Sequence, residues 1–439
     1  MILLNLHSDD ENYCRDIQIK SHYEQMAQSR WATRGWTYQE HILSKRVVCF
    51  LDDRVFWECS RSVWDMHGLS SGMNTSGGPT IADLGMRLMT TTWPDFSLYV
   101  DLTCPYNGRD LTYSGDGLSA CSGILNRLTR SFLEGFIYGL PRGRFDDALL
   151  WQPIRGCHRR FESGTETDSP LPSWSWCGWQ CYVDPRSFLS GDSAFQAPMA
   201  KPITSSWTTQ KCVFWNVLTY RGEKVPITEY VESDITPQLV CKTERASFYI
   251  ADILRVTESP SHKLRGGRLE AFGHPVLTDK PLNEMAPIMV LQDKDGVFSG
   301  LLRATADVEC NQGDMIELIT ISKGSANRCD IEGCIEERLF GKSQDYGSEP
   351  FQVSFDANGL WVDDPSGKDR DFYQIEYEGD DVPELKQVEE YWGDHDTCQF
   401  HNVLWVQKKE SICYRVACGR IEERVWKSNQ RGETEVILG

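Results

Sequence analysis

Between Arg34 and Cys59 the chain reads RGWTYQEHILSKRVVCFLDDRVFWEC, and few local structures can accept that run. Trp36, Gln39, Glu40 and Leu43 recur at three- and four-residue spacing, which predicts one face of a helix. Val47 to Leu51 and Val55 to Cys59 are β-branched and aromatic, and Asp52-Asp53 between them supplies turn residues. That order predicts a hairpin directly after the helix. Arg34, Glu40, Arg46 and Glu58 lie in the same stretch as several large aromatic rings. Charges held that close to indoles form either an ion-pair lattice or a site, and lattices are the commoner use.

The rest of the composition narrows what such a stretch can serve. A chain of 439 residues has room for two or three domains, and 40% hydrophobic with 25% charged residues is the balance of a folded protein. Its 45 basic and 64 acidic residues give a net charge of −19, which opposes a hold on phosphate backbones or anionic lipid. Residues 361–400 concentrate the acid, with 13 Asp or Glu against three Lys or Arg, and read as a solvated rim. No apolar run reaches the ~18 residues of a membrane span. The opening MILLNLHSDDENY has no basic segment ahead of its short apolar stretch, so no secretory signal is expected. The expectation is a cytoplasmic chain whose 16 cysteines are thiols. The pairs Cys177/Cys181, Cys329/Cys334 and Cys413/Cys418 lack zinc-knuckle spacing, and no metal site is predicted.

In chain order, residues 1–30 are polar and weakly patterned, and HGLSSGMNTSGGPT after the hairpin reads as a loop. A helix is predicted from Thr80, with Ile81, Leu84, Leu88 and Trp93 on one stripe and Pro94 closing it. Apolar character continues through Phe96, Tyr99, Val100 and Leu102 to Cys104-Pro105. Another helix follows, capped by Asp116 or Ser114, burying Leu118, Cys121, Ile124, Leu125 and Leu128. On it Ala120 and Gly123 leave room for a neighbouring element. Gly139-Leu140-Pro141 marks a turn, with a short helix through Leu149, Leu150 and Trp151. LPSWSWCGW then sets Trp174, Trp176 and Trp179 within six positions. Each such ring covers about 150–250 Å². The knot either staples two layers or offers a stacking platform for a sugar or base.

From about residue 200 the pattern changes to short β-branched and aromatic runs, including KCVFWNVLTY, ERASFYIADILRV, GRLEAFG, PIMVLQD, MIELITIS and NVLWVQKKESICYRVACGRI. Polar turns separate them, which predicts an antiparallel sandwich or barrel. EEYWG and the last stretch of the chain are the helical exceptions. The predicted organisation is α+β, divided into 1–62, 63–190 and 191–439.

There is no GxGxxG after a strand and no GxxxxGK[ST], so no nucleotide or other cofactor is predicted. Glu40 and Glu58 supply two carboxylates, and a glycosidase would need such a pair about 5–9.5 Å apart. Ion pairing with Arg34, Arg46, Arg54 or Arg61 is the competing use.

The residues Arg34, Trp36, Gln39, Glu40, Leu43, Ser44, Arg46, Trp57, Glu58 and Cys59 resemble the block that closes the fungal heterokaryon incompatibility (HET) domain. That block runs Arg-x-Trp-x-x-Gln-Glu-x-x-Leu-Ser-x-Arg, an apolar strand, then Trp-Glu-Cys. Tyr106, Arg109, Leu111, Thr112, Asp116, Leu118, Ala120 and Gly123 are similar to the family's following segment. So are Leu149-Leu150-Trp151, PSWSW with Trp174 and Trp176, and the ending with NVLWV, Cys413-Tyr414-Arg415 and GRI. The family's opening Leu-Ser-Tyr-x-Trp-Gly-like block and its Trp-Ile-Asp-x-x-Cys-Ile-x-Gln-like block are absent, and only 33 residues precede Arg34. The resemblance therefore implies the closing part of a HET domain with its usual extension, from a shortened gene reading or a degenerate copy. It implies a role in non-self recognition and cell death between fused hyphae, with another incompatibility or innate-immunity-type protein as partner. The family's distant relation to Toll/interleukin-1 receptor (TIR) domains, some of which cleave NAD, makes Glu40 the candidate catalytic carboxylate. With the strands of a pocket missing, a working catalytic centre is not expected. An NAD-hydrolysing enzyme and a Trp-lined carbohydrate binder or glycosidase are the alternatives.

Overall fold

Helix and hairpin do follow one another where the periodicities change. The computed structural model describes Met26 and residues 29–51, 54–59, 62–65, 70–72, 81–153, 157–161, 171–188, 208–229, 234–254, 256–258, 286–304, 308–327, 352–356, 359–363, 373–375 and 397–439. Helix α1 (Gly35–Leu43) leads into strands β1 (Arg46–Leu51), β2 (Arg54–Cys59), β3 (Ser62–Asp65) and β4 (Ser70–Gly72), paired antiparallel in sequence order. Strand β4 falls inside the stretch read as pure loop. Three polar residues have no strand propensity of their own, and pairing of Val63 with Ser71 in β3 supplies the order.

The helical half continues with α2 (Ile81–Thr90), α3 (Phe96–Asn107), α4 (Ser122–Leu128) and α5 (Phe145–Ala148). Leu84 and Leu88 are buried as their spacing predicts, but Trp93 lies past the end of α2 and is 61% exposed. The Asp95 side chain caps α3 by accepting from Leu98 N at 3.0 Å. Two 3₁₀ turns, Ser114–Gly117 and Ser119–Cys121, occupy the positions expected to cap α4, so that helix starts only at Ser122. Leu149, Leu150 and Trp151 follow α5 and are buried beyond its last residue.

Strands β5 (Thr208–Lys211), β6 (Asn216–Thr219), β7 (Lys224–Pro226), β8 (Ile235–Leu254), β9 (Ile288–Gln292), β10 (Phe298–Ala304), β11 (Met315–Asn327), β12 (Thr397–Lys409), β13 (Ile412–Glu422) and β14 (Gln430–Leu438) form one ten-stranded sheet. Its pairings run β8-β9-β10-β13-β12-β11, and β11 returns to β8 from Arg245↔Ile319 to Tyr249↔Met315. Six antiparallel strands thus close into a barrel, which leaves them no open edge. Helix α6 (Glu423–Asn429) between β13 and β14 sends Trp426 into the barrel, against Phe248 and beside Leu318, Val403 and Trp405.

The outer face of the same strands covers the helical half. Leu318 faces the barrel interior while Ile319 and Ile321 join a second core with Tyr38, Tyr99, Trp151 and Trp174. This core runs from Tyr38 to Leu438, across both of the divisions expected at residues 62 and 190. Trp174, Trp176 and Trp179 are 0, 1 and 7% exposed. Their indole N–H groups donate to Pro237 O, Tyr99 Oη and Ser173 O. Trp174 thereby ties the knot to β8 and Trp176 ties it to α3. Buried indoles with satisfied N–H groups are staples, which removes the stacking platform. The acidic stretch 364–372 and 376–396, GRLEAFG, EEYWG and Cys329/Cys334 lie outside the described residues.

Candidate functional site at the helix–hairpin junction

Helix α1 is fixed at both ends before any site is formed. Gly35 N donates to Asp110 O at 2.8 Å, and a Cβ at Gly35 would sit 2.5 Å from Leu111 Cδ2. The buried Arg109 donates to Ala32 O and lies over the Tyr38 ring at 4.5 Å, while Tyr38 Oη donates to Leu102 O. Along the helix, Gln39 Oε1 accepts from Gly123 N at 3.0 Å. That N–H belongs to the first turn of α4 and has no partner within its own helix. Gly123 therefore does admit a neighbour: a Cβ there would meet Gln39 Oε1 at 2.8 Å and Leu43 at 2.9 Å.

The buried face of α1 is Gly35, Thr37, Tyr38, His41 and Ile42, a different stripe from the predicted one. Trp36 is 37% exposed and Glu40 is exposed; only Gln39 and Leu43 of the expected face turn partly inward. Tyr38, His41 and Ile42 have equally good helical spacing. Burying Tyr38 and Ile42 removes apolar surface with no Glu to desolvate, and that decides the phase.

Across the junction, Glu58 is 2% exposed and points inward from β2, where it stands opposite Val47. His41 Nε2 approaches Glu58 Oε2 at 3.1 Å. A carboxylate oxygen accepts, which makes Nε2 the donor of this bond. Among the described residues Nδ1 is buried without a hydrogen-bond partner. Trp31 lies tilted against the His41 ring at 5.4 Å. The helix is thus tied to the hairpin by Glu58, with His41 as its partner at 3.1 Å. Below it Cys49 and Phe56 pack on Met26, and burial together with the Glu58 charge pushes the Cys49 thiol up to about 12.

A cavity of about 670 Å³ opens at this junction between α1, the hairpin and α2. His41, Glu58, Cys59, Lys45 and Arg46 contribute its polar wall, and Ile42, Val47, Met86 and Met89 its apolar wall. Gly85 lets α2 come this close, since a Cβ there would lie 2.7 Å from Ile42 O. Glu40 is not among the lining residues. Of the remaining motif residues, Arg34, Ser44, Arg46 and Trp57 are exposed and Cys59 is half-buried. Val48, Trp57 and Trp64 stand side by side in register across β1, β2 and β3, at 44, 44 and 46% exposure. Phe50, at 77%, is two residues along from Val48. Among the described residues no cluster of three or more His, Cys, Asp or Glu has metal-binding geometry, and no helix is long and apolar enough to cross a membrane. No protein-family model, no curated protein and no solved structure matches the chain.

Proposed function

We propose that this chain is a HET-family protein of fungal self/non-self recognition, working in the cytoplasm without a catalytic centre of its own. The supporting observation is that two separate segments carrying the family-like residues meet: Gln39 of the closing block holds Gly123 of the following segment. Tyr106 packs edge-on against Trp176 of PSWSW at 6.0 Å, which extends the same joint. Helix α1 and its hairpin are then the closing part of a TIR-like unit. The exposed row Val48, Trp57 and Trp64 is the kind of apolar surface that marks a protein contact, here with another incompatibility or innate-immunity-type protein.

The NAD-hydrolysing reading draws less support. Glu40 is exposed and lies off the cavity, where nothing desolvates or orients a carboxylate for catalysis. The test is to express the gene in one of two otherwise isogenic, fusion-competent fungal strains. The expected result is fewer viable heterokaryons with particular partner genotypes, with cellular NAD unchanged. Full recovery across a panel of partner genotypes would overturn the proposal, and NAD depletion abolished by Glu40→Ala would favour the enzyme instead.

A further inference from the structure

Among the described residues the two larger sheets end at four strands, and three of these are poor templates for a further strand. Strand β4 is Ser-Ser-Gly, β7 is three residues long with Lys224 and Pro226, and β5 is four polar residues ending in Lys211. Short, charged or proline-bearing edges keep folded sheets from growing. Strand β1 is different. It is six residues long, has no proline, and carries its one charge, Arg46, at the first position. Its outer face presents Val48 and Phe50 at 44 and 77% exposure. Strand β2 takes one side of it, and no described strand takes the other. That leaves a row of backbone N–H and C=O groups able to accept a strand.

We propose that a second copy of this chain fills the edge, β1 pairing antiparallel with β1 about a twofold axis. The inference rests on the edge and its register, whatever the chain's part in recognition. Along an extended strand Arg46, Val48 and Phe50 share one face. Val47 and Cys49 take the other, where they pack with Phe56 and Met26. Pairing must keep like faces together, since a slip of one residue would turn the packed side outward. Only the register centred on Val48 then keeps all three outward residues inside the paired length. A shift of two residues either way carries Arg46 or Phe50 past the end of the partner's strand. In the centred register Val48 stands opposite its own copy, and Arg46 stands opposite Phe50 of the other chain. Guanidinium against an aromatic ring is a favourable pair, and symmetry makes it twice. The row Val48, Trp57 and Trp64 also runs on across the axis into the same row of the second copy.

Sedimentation velocity on the full chain tests this between about 1 and 200 μM, because an edge pairing this short is a small interface with a Kd on the order of 10 μM. The wild-type chain should pass from monomer to dimer across that range. Val48→Asp and Val48→Lys each set like charges directly opposite and should weaken the dimer about tenfold. Their equimolar mixture sets Asp against Lys and should dimerise roughly five- to tenfold more tightly than either variant alone. Phe50→Lys, which places an ammonium opposite Arg46, should weaken the dimer about as much as the Val48 changes. Both positions are exposed, so all three variants should melt with the wild type. A wild-type chain that stays monomeric throughout would overturn the inference in favour of a strand from another protein. Dimers undiminished in any folded single variant, or a mixture no tighter than its parts, would overturn it as well.

Discussion

Cutting the His41–Glu58 link should loosen the hairpin from the helix by an amount the geometry sets. The two groups are 5 and 2% exposed and 3.1 Å apart, so the bond is buried and charge-assisted. Hydrogen bonds to charged groups contribute about 1.5–3 kcal/mol, and removing one partner of a buried pair costs about 3–5 kcal/mol because the other is left stranded. Glu58→Ala and His41→Ala should therefore each destabilise the junction by about 3–5 kcal/mol, while the double variant costs clearly less than their sum. A double-mutant cycle cancels what each side chain does elsewhere, including the contact of His41 with Trp31. The assay is amide hydrogen exchange in β1 and β2, which reads local opening rather than global unfolding. A coupling of about 1.5–3 kcal/mol is expected. A value below about 0.5 kcal/mol would refute the reasoning, since the pair would then be solvated and replaceable by water.

Further outcomes follow from burial. Trp36→Ala should cost about 1 kcal/mol or less and Tyr38→Ala about 3–5 kcal/mol, because the second empties a core site and strands Leu102 O; reversed costs in denaturant titrations would restore the original helix phase. His401, stacked on Trp426 and buried, has its pKa lowered from 6.5 to about 4 by burial and by Lys323. Its neutral form stabilises the fold above pH 6.5, and up to about 3 kcal/mol is lost as pH falls from there through 4; a His401→Gln variant with an unchanged acid melting profile would contradict this. Burial raises the Asp146 carboxyl from 3.8 to about 6 despite the Trp215 N–H it accepts. Stability it contributes at low pH is lost as pH rises from about 4 through 6, so Asp146→Asn should raise Tm at pH 7.5 by an amount worth about 1–2 kcal/mol and leave it unchanged at pH 3.5.

The elements whose period is carried by apolar residues were legible in the sequence. The alternation in MIELITIS and in NVLWVQKKESICYRVACGRI became β11, β12 and β13, and barrel closure stayed within the predicted choice of sandwich or barrel. Closure itself depends on β8 being long enough to pair with both β11 and β9, and only long-range register reveals that. At α1 two stripes of equal spacing compete, and spacing alone does not say which of them meets the core. Most of the family-like residues, Arg34, Trp36, Glu40, Ser44 and Arg46 among them, are on the surface. His41 was hidden because its importance comes from Glu58, seventeen residues away, turning inward on a strand. The cavity needed Gly85 as well, and an isolated glycine in a helical pattern carries no sign of what approaches it.

Recognition through the exposed motif surface is the central claim, and one measurement addresses it directly. Trp57→Ser with Trp64→Ser removes the centre of the aromatic row at two positions that are 44 and 46% exposed. Heterokaryons whose viability is reduced by the wild-type gene should recover when it carries this pair, with melting temperature and protein level unchanged. Incompatibility that persists undiminished in the folded double variant would contradict the account.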